Sequence, residues 1–224
     1  MPYAATRKVL RTKPFMRCAR QKPREAEDTL LAAVILAGGE SRRMGSPKAL
    51  LTYNDRTFVD HLLDVTRHPK IGLQRIVLGA DAENIRTRLN LDPALVVVNP
   101  DWEKGQLSSI QSAIRSLAGS SVNGILFCLV DHPLITSALV NDLIESFYRG
   151  GKSIVLPVFQ GRRGHPVIFA RTLFDELLAA PVEKGARAVV WDHPDEVEEV
   201  PTEEQGAVLN LNDPEAFRSA TGKP

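Results

Sequence analysis

An apolar run that ends at two glycines and continues into a short basic loop is the stretch best suited to chemistry on a phosphate. The run covers residues 30–36, Gly38 and Gly39 follow it, and the loop carries Arg43 and Lys48. Glycines leave backbone N–H groups accessible, and successive N–H groups in such a turn form an anion-binding concavity. Arginine can grip a phosphate through two parallel N–H bonds, whereas lysine acts as a point charge. The pattern predicts a polyphosphate site in which Arg43 and Lys48 are the catalytic cations.

Two widespread phosphate-binding loops are excluded by the same residues. The sequence contains neither the P-loop pattern G-x-x-x-x-G-K-[ST] nor the dinucleotide-binding pattern G-x-G-x-x-G after this first run. The two glycines by themselves also fit an ordinary turn between a strand and a loop. The two cations at this spacing favour phosphate binding over that simpler interpretation.

Polar residues also follow a predicted strand at 95–98. Asn99 ends that strand, and Gly105 and Ser109 lie at the start of a helix predicted from about 108 to 117. The N-terminus of a helix can bind an anion through its N–H groups. Taken alone, the segment is better explained as an ordinary capped helix.

Asp131 follows the near-continuous apolar run 124–130, which is typical of a central parallel strand. Open α/β sheets bind their ligands at the carboxyl ends of strands. Magnesium combines one or two protein oxygens with phosphate oxygens and water. Asp131 is therefore a predicted metal ligand, and its alternative role is to cap a helix predicted at 136–148.

The basic loop resembles the signature L-A-[AG]-G-x-[GS]-x-R-M-G-x-x-K of the nucleotidyltransferases. Every fixed position of that signature is met, by Leu36, Ala37, Gly38, Gly39, Ser41, Arg43, Met44, Gly45 and Lys48. The resemblance is closest to the molybdenum cofactor cytidylyl- and guanylyltransferases, and later motifs extend it over residues 30–217. It implies that the loop binds the nucleotide through Leu36, Ala37, Gly38, Gly39 and Ser41.

Three later segments add to this resemblance. Residues 99–109 are similar to N-P-x-W-x-x-G-x-x-x-S, which contacts the base and ribose, and this implies nucleotide contacts from Asn99, Gly105 and Ser109. Asp131 matches the metal-binding position of a D-x-P motif. Asn212 falls on the second metal position of a C-terminal N-[IV]-[DN]-[TD]-P-E motif, and Asp213 beside it is either a helix cap or a competing ligand.

Two further segments imply where a second substrate binds. Residues 161–167 are similar to the G-x-x-G-H-P-V of the cytidylyltransferases, which borders the cofactor pocket, and residues 184–188 are similar to a family G-[AV]-R segment. The acceptor contacts implied by these two segments are Arg162, Arg163, His165 and Arg187.

The sequence gives conflicting indications about which nucleotide is the donor. Gly38 is the guanylyltransferase-like residue, since cytidylyltransferases usually have alanine at this position. The segments 99–109 and 161–167 are similar to the cytidylyltransferases. Because two longer segments outweigh one small residue, CTP is the predicted donor.

The resemblance implies magnesium-dependent transfer of a nucleoside monophosphate from CTP to molybdenum cofactor, with release of pyrophosphate. Alternatives within the same class are transfer from GTP and transfer to another acceptor such as a sugar phosphate. An alternative of a different class is a carrier that binds a nucleotide or cofactor without chemistry and hands its cargo to a molybdoenzyme or its chaperone. Lys48 and Asp131 favour the enzyme, because binding alone would not require the full catalytic set.

The elements that must position these residues alternate between strands and helices. A chain of 224 residues suits one α/β domain, and the alternation predicts a mostly parallel, doubly wound sheet with helices on both faces. The predicted fold class is a single three-layer, Rossmann-like α/β domain over residues 29–224. The stretch 160–169 predicts a short antiparallel excursion. A last strand is predicted at 207–211, and the acidic run 195–204 is interpreted as solvated surface.

The net charge of +1 conceals a strongly basic N-terminal segment. Residues 1–24 contain eight Lys or Arg and no acid, which leaves 20 basic and 27 acidic residues in the rest of the chain. This balance argues against a globally basic nucleic-acid-binding domain. Residues 1–28 are predicted to be a disordered basic extension or the result of a start codon assigned too early. A basic arm for an anionic partner and a transit peptide are the alternatives.

No apolar run reaches the length of a transmembrane helix, and the sequence shows no secretory signal. The sequence therefore predicts a cytoplasmic protein without a membrane partner. Its predicted partners are a nucleoside triphosphate and a phosphorylated small-molecule acceptor, and a molybdoenzyme or its chaperone is a further candidate.

Overall fold

The fold is built on a central sheet whose strands alternate with helices along the chain. The computed structural model describes residues 30–221, with the backbone alone for the last two, so the predicted basic extension at 1–28 lies outside the described residues. The strands are β1 (Leu31–Ala37), β2 (Thr52–Tyr53), β3 (Arg56–Thr57), β4 (Ile71–Leu78), β5 (Val96–Val98), β6 (Gly124–Leu129), β7 (Ile154–Phe159), β8 (Arg162–Arg163), β9 (Val167–Ala170) and β10 (Val197–Pro201). The α-helices are α1 (Phe58–Val65), α2 (Ala82–Arg88), α3 (Gln106–Ser116), α4 (Ser137–Gly150), α5 (Phe174–Ala179), α6 (Arg187–Asp192) and α7 (Pro214–Thr221).

Strand β1 lies inside the sheet, where it pairs in parallel with β4 on one side and with β6 on the other. The strand order is β10–β7–β9–β6–β1–β4–β5, with β8 paired to β7 alone, and β2 and β3 form a separate hairpin. Strand β9 runs antiparallel between β6 and β7, while β5 and β10 run parallel to their neighbours at the two edges. This topology confirms the predicted α/β domain with a mostly parallel sheet and a short antiparallel excursion.

Every residue of β1 is buried, and its side chains alternate between two hydrophobic layers. Ala33 and Ile35 belong to the layer that contains α1, α2 and α4, whereas Val34 and Leu36 belong to the layer that contains α3 and α5. Burial on both faces explains why the sequence of this strand is continuously apolar rather than alternating. The packing on both sides holds the carboxyl ends of β1 and β6, which the predicted site residues follow.

The chain before α7 differs from the sequence prediction, because residues 207–211 do not form a strand. A short 3₁₀ helix spans Gln205–Ala207, and the chain then continues irregularly to α7. Ala207 and Leu211 are both fully buried. The apolar pattern that predicted a strand therefore reflects the packing of a buried loop rather than pairing in the sheet.

The acidic run at 195–204 contains β10, a strand that the sequence analysis did not predict. None of its residues is buried, which agrees with its interpretation as surface. Strand β10 is an edge strand that pairs in parallel with β7. Acidic residues are depleted in strands, which is why the run does not predict one. Charged side chains on an edge strand nevertheless serve a purpose, because they discourage pairing with other chains.

The helices follow the predictions with small shifts at their ends. Thr57 caps α1, since its hydroxyl accepts a hydrogen bond from the Asp60 N–H at 3.1 Å, and the helix ends at Val65. Helix α3 begins at Gln106, directly after Gly105. Within residues 30–221, no helix is long and apolar enough to cross a membrane.

Candidate active site

The loop after β1 folds back so that its last lysine returns to the sheet. Ser41 and Gly45 have left-handed backbones, with φ of 55° and 69°, on either side of a 3₁₀ helix at Arg42–Met44. The Ser41 hydroxyl accepts a hydrogen bond from the Lys48 N–H at 3.1 Å, which closes the loop. Glycine suits position 45, because this conformation is unstrained without a Cβ atom. The side chain of Lys48 is consequently only 13% exposed.

Lys48 joins two candidate metal ligands that are distant from it in sequence. Its ammonium group donates to Oδ1 of Asn212 at 2.5 Å and, at the longer distance of 3.4 Å, to Oδ2 of Asp131. Hydrogen bonds that involve an ionised donor are stronger than neutral ones. The predicted catalytic lysine and the two predicted metal ligands therefore form one cluster, which we call the Lys48 cluster.

The position of Asn212 is set by the residues on either side of it. The Leu211 N–H donates to the Asp131 carbonyl oxygen at 2.7 Å, which ties the C-terminal loop to the end of β6. Asp213 accepts a hydrogen bond from the Ala216 N–H at 2.9 Å and so caps α7. Of the two alternatives left open by the sequence, Asn212 faces Lys48 and Asp213 is the helix cap.

The Lys48 cluster offers oxygens of the kind that magnesium binds. Asp131 supplies a carboxylate and Asn212 a neutral amide oxygen, and magnesium usually completes such a pair with phosphate oxygens and water. Among the residues that the structure describes, no three His, Cys, Asp or Glu side chains converge to hold a metal. The donor set therefore fits a metal that binds together with a nucleotide phosphate, rather than one enclosed by protein ligands.

A cleft of about 220 Å³ adjoins this cluster, and we call it the nucleotide cleft. The predicted nucleotide contacts that line it are Leu36, Gly38, Gly39, Ser41, Gly105 and Ser109. Gly105 has φ of 94° and precedes the first residue of α3. The first N–H groups of a helix lack partners within it and attract negative charge. The cleft thus combines backbone donors with the Lys48 ammonium group, which suits a polyphosphate.

Two of the predicted nucleotide contacts do not line the cleft. Ala37 belongs to the hydrophobic layer on the opposite side of β1. Asn99 is only 1% exposed, and its amide nitrogen donates to the hydroxyls of Ser108 at 2.8 Å and Ser109 at 3.1 Å. Its Oδ1 accepts from the Asp101 N–H at 3.0 Å. Asn99 therefore holds the start of α3 and orients Ser109 from behind the cleft.

Position 38 is in close contact with the opposite wall of the nucleotide cleft. A Cβ atom on Gly38 would lie 2.9 Å from Oγ of Ser109, too close for both to keep their places. Rotation of the Ser109 hydroxyl would relieve the contact, but it would remove the oxygen that accepts the hydrogen bond from Asn99. The residue at position 38 therefore influences the orientation of Ser109.

Arg43 lies on the exposed surface of the loop. It is not among the residues that line the nucleotide cleft. Within residues 30–221 it has no hydrogen-bond or ion-pair partner, whereas its neighbour Arg42 pairs with Glu40 at 2.6 Å. Of the two predicted catalytic cations, the structure brings Lys48 but not Arg43 to the cluster.

A second groove of about 460 Å³ adjoins the nucleotide cleft and shares Leu36, Gln106 and Leu129 with it. Three of the four predicted acceptor contacts line this second groove: Arg163, His165 and Arg187. The fourth, Arg162, is exposed on β8 and does not line it. Arg163 donates through Nε to Oε1 of Glu199 at 2.7 Å, so part of its charge is already compensated.

A buried histidine, His132, and a half-buried one, His165, lie near the Lys48 cluster and the second groove. The ring centres of His132 and His165 are 5.1 Å apart, and neither Nδ1 atom has a hydrogen-bond partner. Burial lowers the pKa of both side chains, and the pKa of His165 falls to about 4. Proximity of the other imidazole lowers the pKa of His165 further, while the Asp131 carboxylate opposes the change. Both rings are consequently neutral at pH 7.

Three side chains of these cavities were not singled out by the sequence analysis. Trp102 and Gln106 line the nucleotide cleft, and Trp191 lines the second groove. Trp102 is a fixed position of the N-P-x-W pattern, so the motif itself could have identified it. Trp191 lies four residues after Arg187. If α6 had been predicted, that spacing would have placed Trp191 on the same face of the helix as Arg187.

A mostly parallel α/β sheet with a glycine loop, a lysine and metal-type oxygens near the carboxyl ends of its strands has the arrangement expected of a nucleotide-binding protein of the nucleotidyltransferase class. Residues 33–197 match the MobA-like NTP transferase domain. This match covers most of the chain, and the protein belongs to that family of nucleotidyltransferases.

Relatives that are named for different activities are similar to this sequence. The nicotine blue oxidoreductase of Paenarthrobacter nicotinovorans is 36% identical over 146 residues, which cover 62% of this chain and 70% of that protein. A probable molybdenum cofactor guanylyltransferase of Mycobacterium ulcerans is 32% identical over 168 residues, which cover 73% of this chain and 79% of that protein. The protein is therefore similar both to a transferase and to a protein named for a redox reaction.

Solved structures show the same fold. The crystal structure of Rv0371c from Mycobacterium tuberculosis H37Rv matches with a TM-score of 0.76 and 29% identity, covering 88% of this chain and 100% of that chain. The same protein in complex with manganese matches with a TM-score of 0.69 and 26% identity over the same shares of the two chains. A divalent metal is thus present in one similar structure.

Proposed function

We propose that this protein transfers cytidine monophosphate from CTP to the phosphate of molybdenum cofactor. The observation that carries the proposal is the contact of Lys48 with both Asp131 and Asn212, beside a cleft lined by two glycines and the start of a helix. A largely buried cation, two metal-type oxygens and the N–H groups at the start of a helix suit a triphosphate. The proposal includes a cytoplasmic location and delivery of the product to a molybdoenzyme or its chaperone.

In this reaction an oxygen of the acceptor phosphate attacks the α-phosphorus of CTP. A new P–O bond forms while the bond from the α-phosphorus to the oxygen bridging to the β-phosphorus breaks. Pyrophosphate leaves with that oxygen and the electron pair of the broken bond. Because the attacking phosphate is already ionised at neutral pH, no side chain has to remove a proton. Catalysis then depends on holding the substrates in line and offsetting the charge on the leaving group.

Each group in the site has a role in that scheme. Lys48 offsets charge on the triphosphate and on the departing pyrophosphate, and Arg43 supplies a second, solvent-exposed cation. Magnesium, held by Asp131 and Asn212, supplies positive charge to the phosphate oxygens when bound. Arg163, His165 and Arg187 contact the acceptor in the second groove, with Arg162 at its periphery, and Ser109 and Gly105 contact the nucleotide.

Transfer from GTP is the second candidate, and position 38 favours it. Gly38 leaves the Ser109 hydroxyl in place and lacks the methyl group that is usual in cytidylyltransferases. The Mycobacterium ulcerans relative is named a guanylyltransferase. The longer segments 99–109 and 161–167 support CTP, and both line one or the other cavity in part.

Pyrophosphate release tests the proposal. The protein is incubated with magnesium and each of the four nucleoside triphosphates, with either molybdenum cofactor or glucose 1-phosphate as acceptor. We expect release only when an acceptor is present, fastest with CTP and molybdenum cofactor, and strongly reduced in Lys48→Met.

Any different result would contradict one identifiable part of the proposal. Faster release with GTP would replace the donor, and release with glucose 1-phosphate alone would replace the acceptor. Binding of both substrates without release would identify a carrier instead of an enzyme. Because one relative is named an oxidoreductase, consumption of a reduced nicotinamide cofactor without pyrophosphate release would also contradict the proposal.

A further inference from the structure

Exposed apolar side chains are concentrated on the second groove. Within residues 30–221, three large apolar side chains are exposed, and two of them, Val182 at 37% and Trp191 at 62%, line this groove. The third is Val98 at the edge of the sheet. The inner lining is also apolar and aromatic, with Ile110, Phe127, Phe169 and Val190 among its residues. Apolar surface gathered in a concave site with a few polar groups is typical of a small-molecule site.

The exposed indole of Trp191 is paired with a cation on the same helix. Arg187 and Trp191 are four residues apart on α6, so their side chains share one face of the helix. The guanidinium carbon of Arg187 lies 6.0 Å from the centre of the Trp191 ring. Ala188 and Val189 between them are buried, which anchors the helix and directs the pair to the surface.

The end of α6 is also held in place. His193, directly after the helix, is 2.6 Å through Nε2 from Oε2 of Glu176 on α5. Gln111 of α3 in turn donates to the carbonyl oxygens of Leu177 and Leu178 at 3.3 and 3.1 Å. The end of α6, the helix that carries Arg187 and Trp191, is therefore held against α5. Helix α5 is in turn hydrogen-bonded to α3, which lines both cavities.

The charged side chains that line the second groove differ in whether they already have an ion-pair partner. Arg163 is already paired with Glu199 at 2.7 Å. Arg187 has no ion-pair partner within the described part of the chain, and neither has Glu183, the carboxylate that also lines the groove. A cation without an ion-pair partner, beside an exposed aromatic ring, suits a ligand that has both a negative group and a flat ring.

We infer that Trp191 and Arg187 form a clamp for a planar nitrogen heterocycle that carries a phosphate. The indole of Trp191 stacks on the ring, and the guanidinium of Arg187 binds the phosphate. This inference deepens the proposed function and rests on it, because a pterin phosphate is an acceptor of this class. A sugar phosphate has no flat aromatic ring to stack on the indole and gains less from it. Trp191 is then a specificity-determining residue for the second substrate.

Calorimetric titration with three probes separates the two halves of the clamp. The probes are 6-hydroxymethylpterin phosphate, 6-hydroxymethylpterin and glucose 1-phosphate. We expect Trp191→Ala to weaken binding of both pterins about tenfold, a typical loss when a base loses its aromatic stacking partner. Trp191→Phe should keep most of the affinity. Arg187→Gln should weaken the pterin phosphate but leave the pterin without phosphate unchanged.

Matched controls separate the clamp from a general disturbance of the fold. Val98→Ala removes an exposed apolar side chain outside the groove and should change no affinity. CTP with magnesium should bind equally well to wild type, Trp191→Ala and Arg187→Gln. Thermal unfolding of all variants should match wild type, because both side chains of the clamp are exposed.

The fluorescence of the two tryptophans reports on the two cavities separately. The chain contains two tryptophans, Trp102 in the nucleotide cleft and Trp191 in the second groove. In Trp102→Phe, whose emission comes from Trp191, pterin phosphate should cause a saturable change that glucose 1-phosphate does not. In Trp191→Phe, whose emission comes from Trp102, CTP should cause a larger change in fluorescence than pterin phosphate does.

The outcomes distinguish this inference from the proposed function. Unchanged pterin phosphate affinity in Trp191→Ala overturns the clamp even if wild type releases pyrophosphate from CTP. Equal loss of glucose 1-phosphate binding in that variant also overturns it, because the ring would then play no part. Trp191-dependent pterin binding in a protein that releases no pyrophosphate supports the clamp and contradicts the proposed function.

Discussion

Lys48 lies where a positive charge is needed whether or not a metal is bound. Its ammonium group contacts one oxygen of Asp131 and one of Asn212, the same two residues that are proposed to hold magnesium. A lysine ammonium and a divalent metal compete for the same oxygens and repel each other at short range. Once a metal and a nucleotide are present, we therefore expect the Lys48 ammonium group to contact the phosphates in preference to Asp131 and Asn212.

Replacement of Lys48 by methionine should separate catalysis from metal binding. Turnover should fall about 10²–10³-fold, as expected when one preorganised charge donor is lost. The affinity of the nucleotide-free protein for Mn²⁺ should increase, because a competing cation is removed. Mn²⁺ binding is measured by electron paramagnetic resonance, with Lys104→Met as the control, since Lys104 pairs with Asp101 at 2.9 Å on the exposed surface. Weaker Mn²⁺ binding in Lys48→Met would show that the two cations do not compete.

Gly38 influences base choice through its contact with Ser109. Gly38→Ala should lower kcat/KM for GTP more than for CTP, because the new methyl group fills space beside the base and displaces Oγ of Ser109. In the double variant with Ser109→Ala, the change in ratio should be smaller than the two single effects predict, since contacting residues are not additive. Fully additive effects would assign the selection to the methyl group alone.

At the scale of elements, the segment 205–213 determines whether the Lys48 cluster can form. It has no strand to hold it, so its place depends on the hydrogen bond from Leu211 to Asp131 and on close packing against its neighbours. A Cβ atom on Gly206 would collide with the carbonyl oxygen of Leu134, and one on Gly164 with the carbonyl oxygen of Ala207. Such contacts with rigid backbone leave no room for a larger residue. Because these two glycines have no side chains, the segment can pack closely enough for Asn212 to lie near Asp131.

Gly206→Ala should consequently lower both stability and metal affinity. The free energy of unfolding should fall by about 1–3 kcal/mol, the usual cost of overpacking, and Mn²⁺ binding should weaken because Asn212 is displaced. Gly150→Ala is the matched control, because a Cβ atom there comes no closer than 3.9 Å to Glu198. Urea unfolding measures both variants. Equal midpoints for the two would show that the packing at Gly206 does not hold the segment.

At the scale of the whole molecule, the pair of His132 and His165 makes stability depend on pH. Burial lowers the pKa of His165 from 6.5 to about 4 in the folded protein, so the unfolded chain binds more protons between these values. Stability is therefore fully present above about pH 6.5 and is lost as the pH falls toward 4. The pKa of His132 is lowered in the same direction and adds to the effect, while Asp131 opposes it.

The contribution of His165 to this acid sensitivity can be measured directly. A shift of this size corresponds to a loss of about 3 kcal/mol once the pH lies below both pKa values. His165→Gln should therefore flatten the fall in unfolding free energy between pH 6.5 and 4.5, whatever its effect at pH 7. Urea unfolding at several pH values provides the comparison. Parallel curves for wild type and variant would mean that His165 does not titrate in this way.

Much of this architecture could be predicted because it depends on local patterns. The apolar run at β1 and the run that ends at Asp131 each lie within a short segment, and each predicted its strand correctly. The fold class followed from their alternation. The predicted strand at 207–211 failed because the same apolar pattern fits a buried loop, and β10 was missed because acidic residues rarely form strands. The basic extension at 1–28 stays a prediction.

The sequence by itself determined which residue types are available for chemistry, and the family signature determined the class of enzyme. The tertiary structure decided which of those residues meet. It placed Lys48 against Asp131 and Asn212, 83 and 164 residues away, while it left Arg43 exposed and Asn99 behind the cleft. It also joined Trp191 to the second groove. The physical reason is that hydrophobic patterns report whether a segment is buried, whereas the convergence of polar side chains depends on how distant segments pack together.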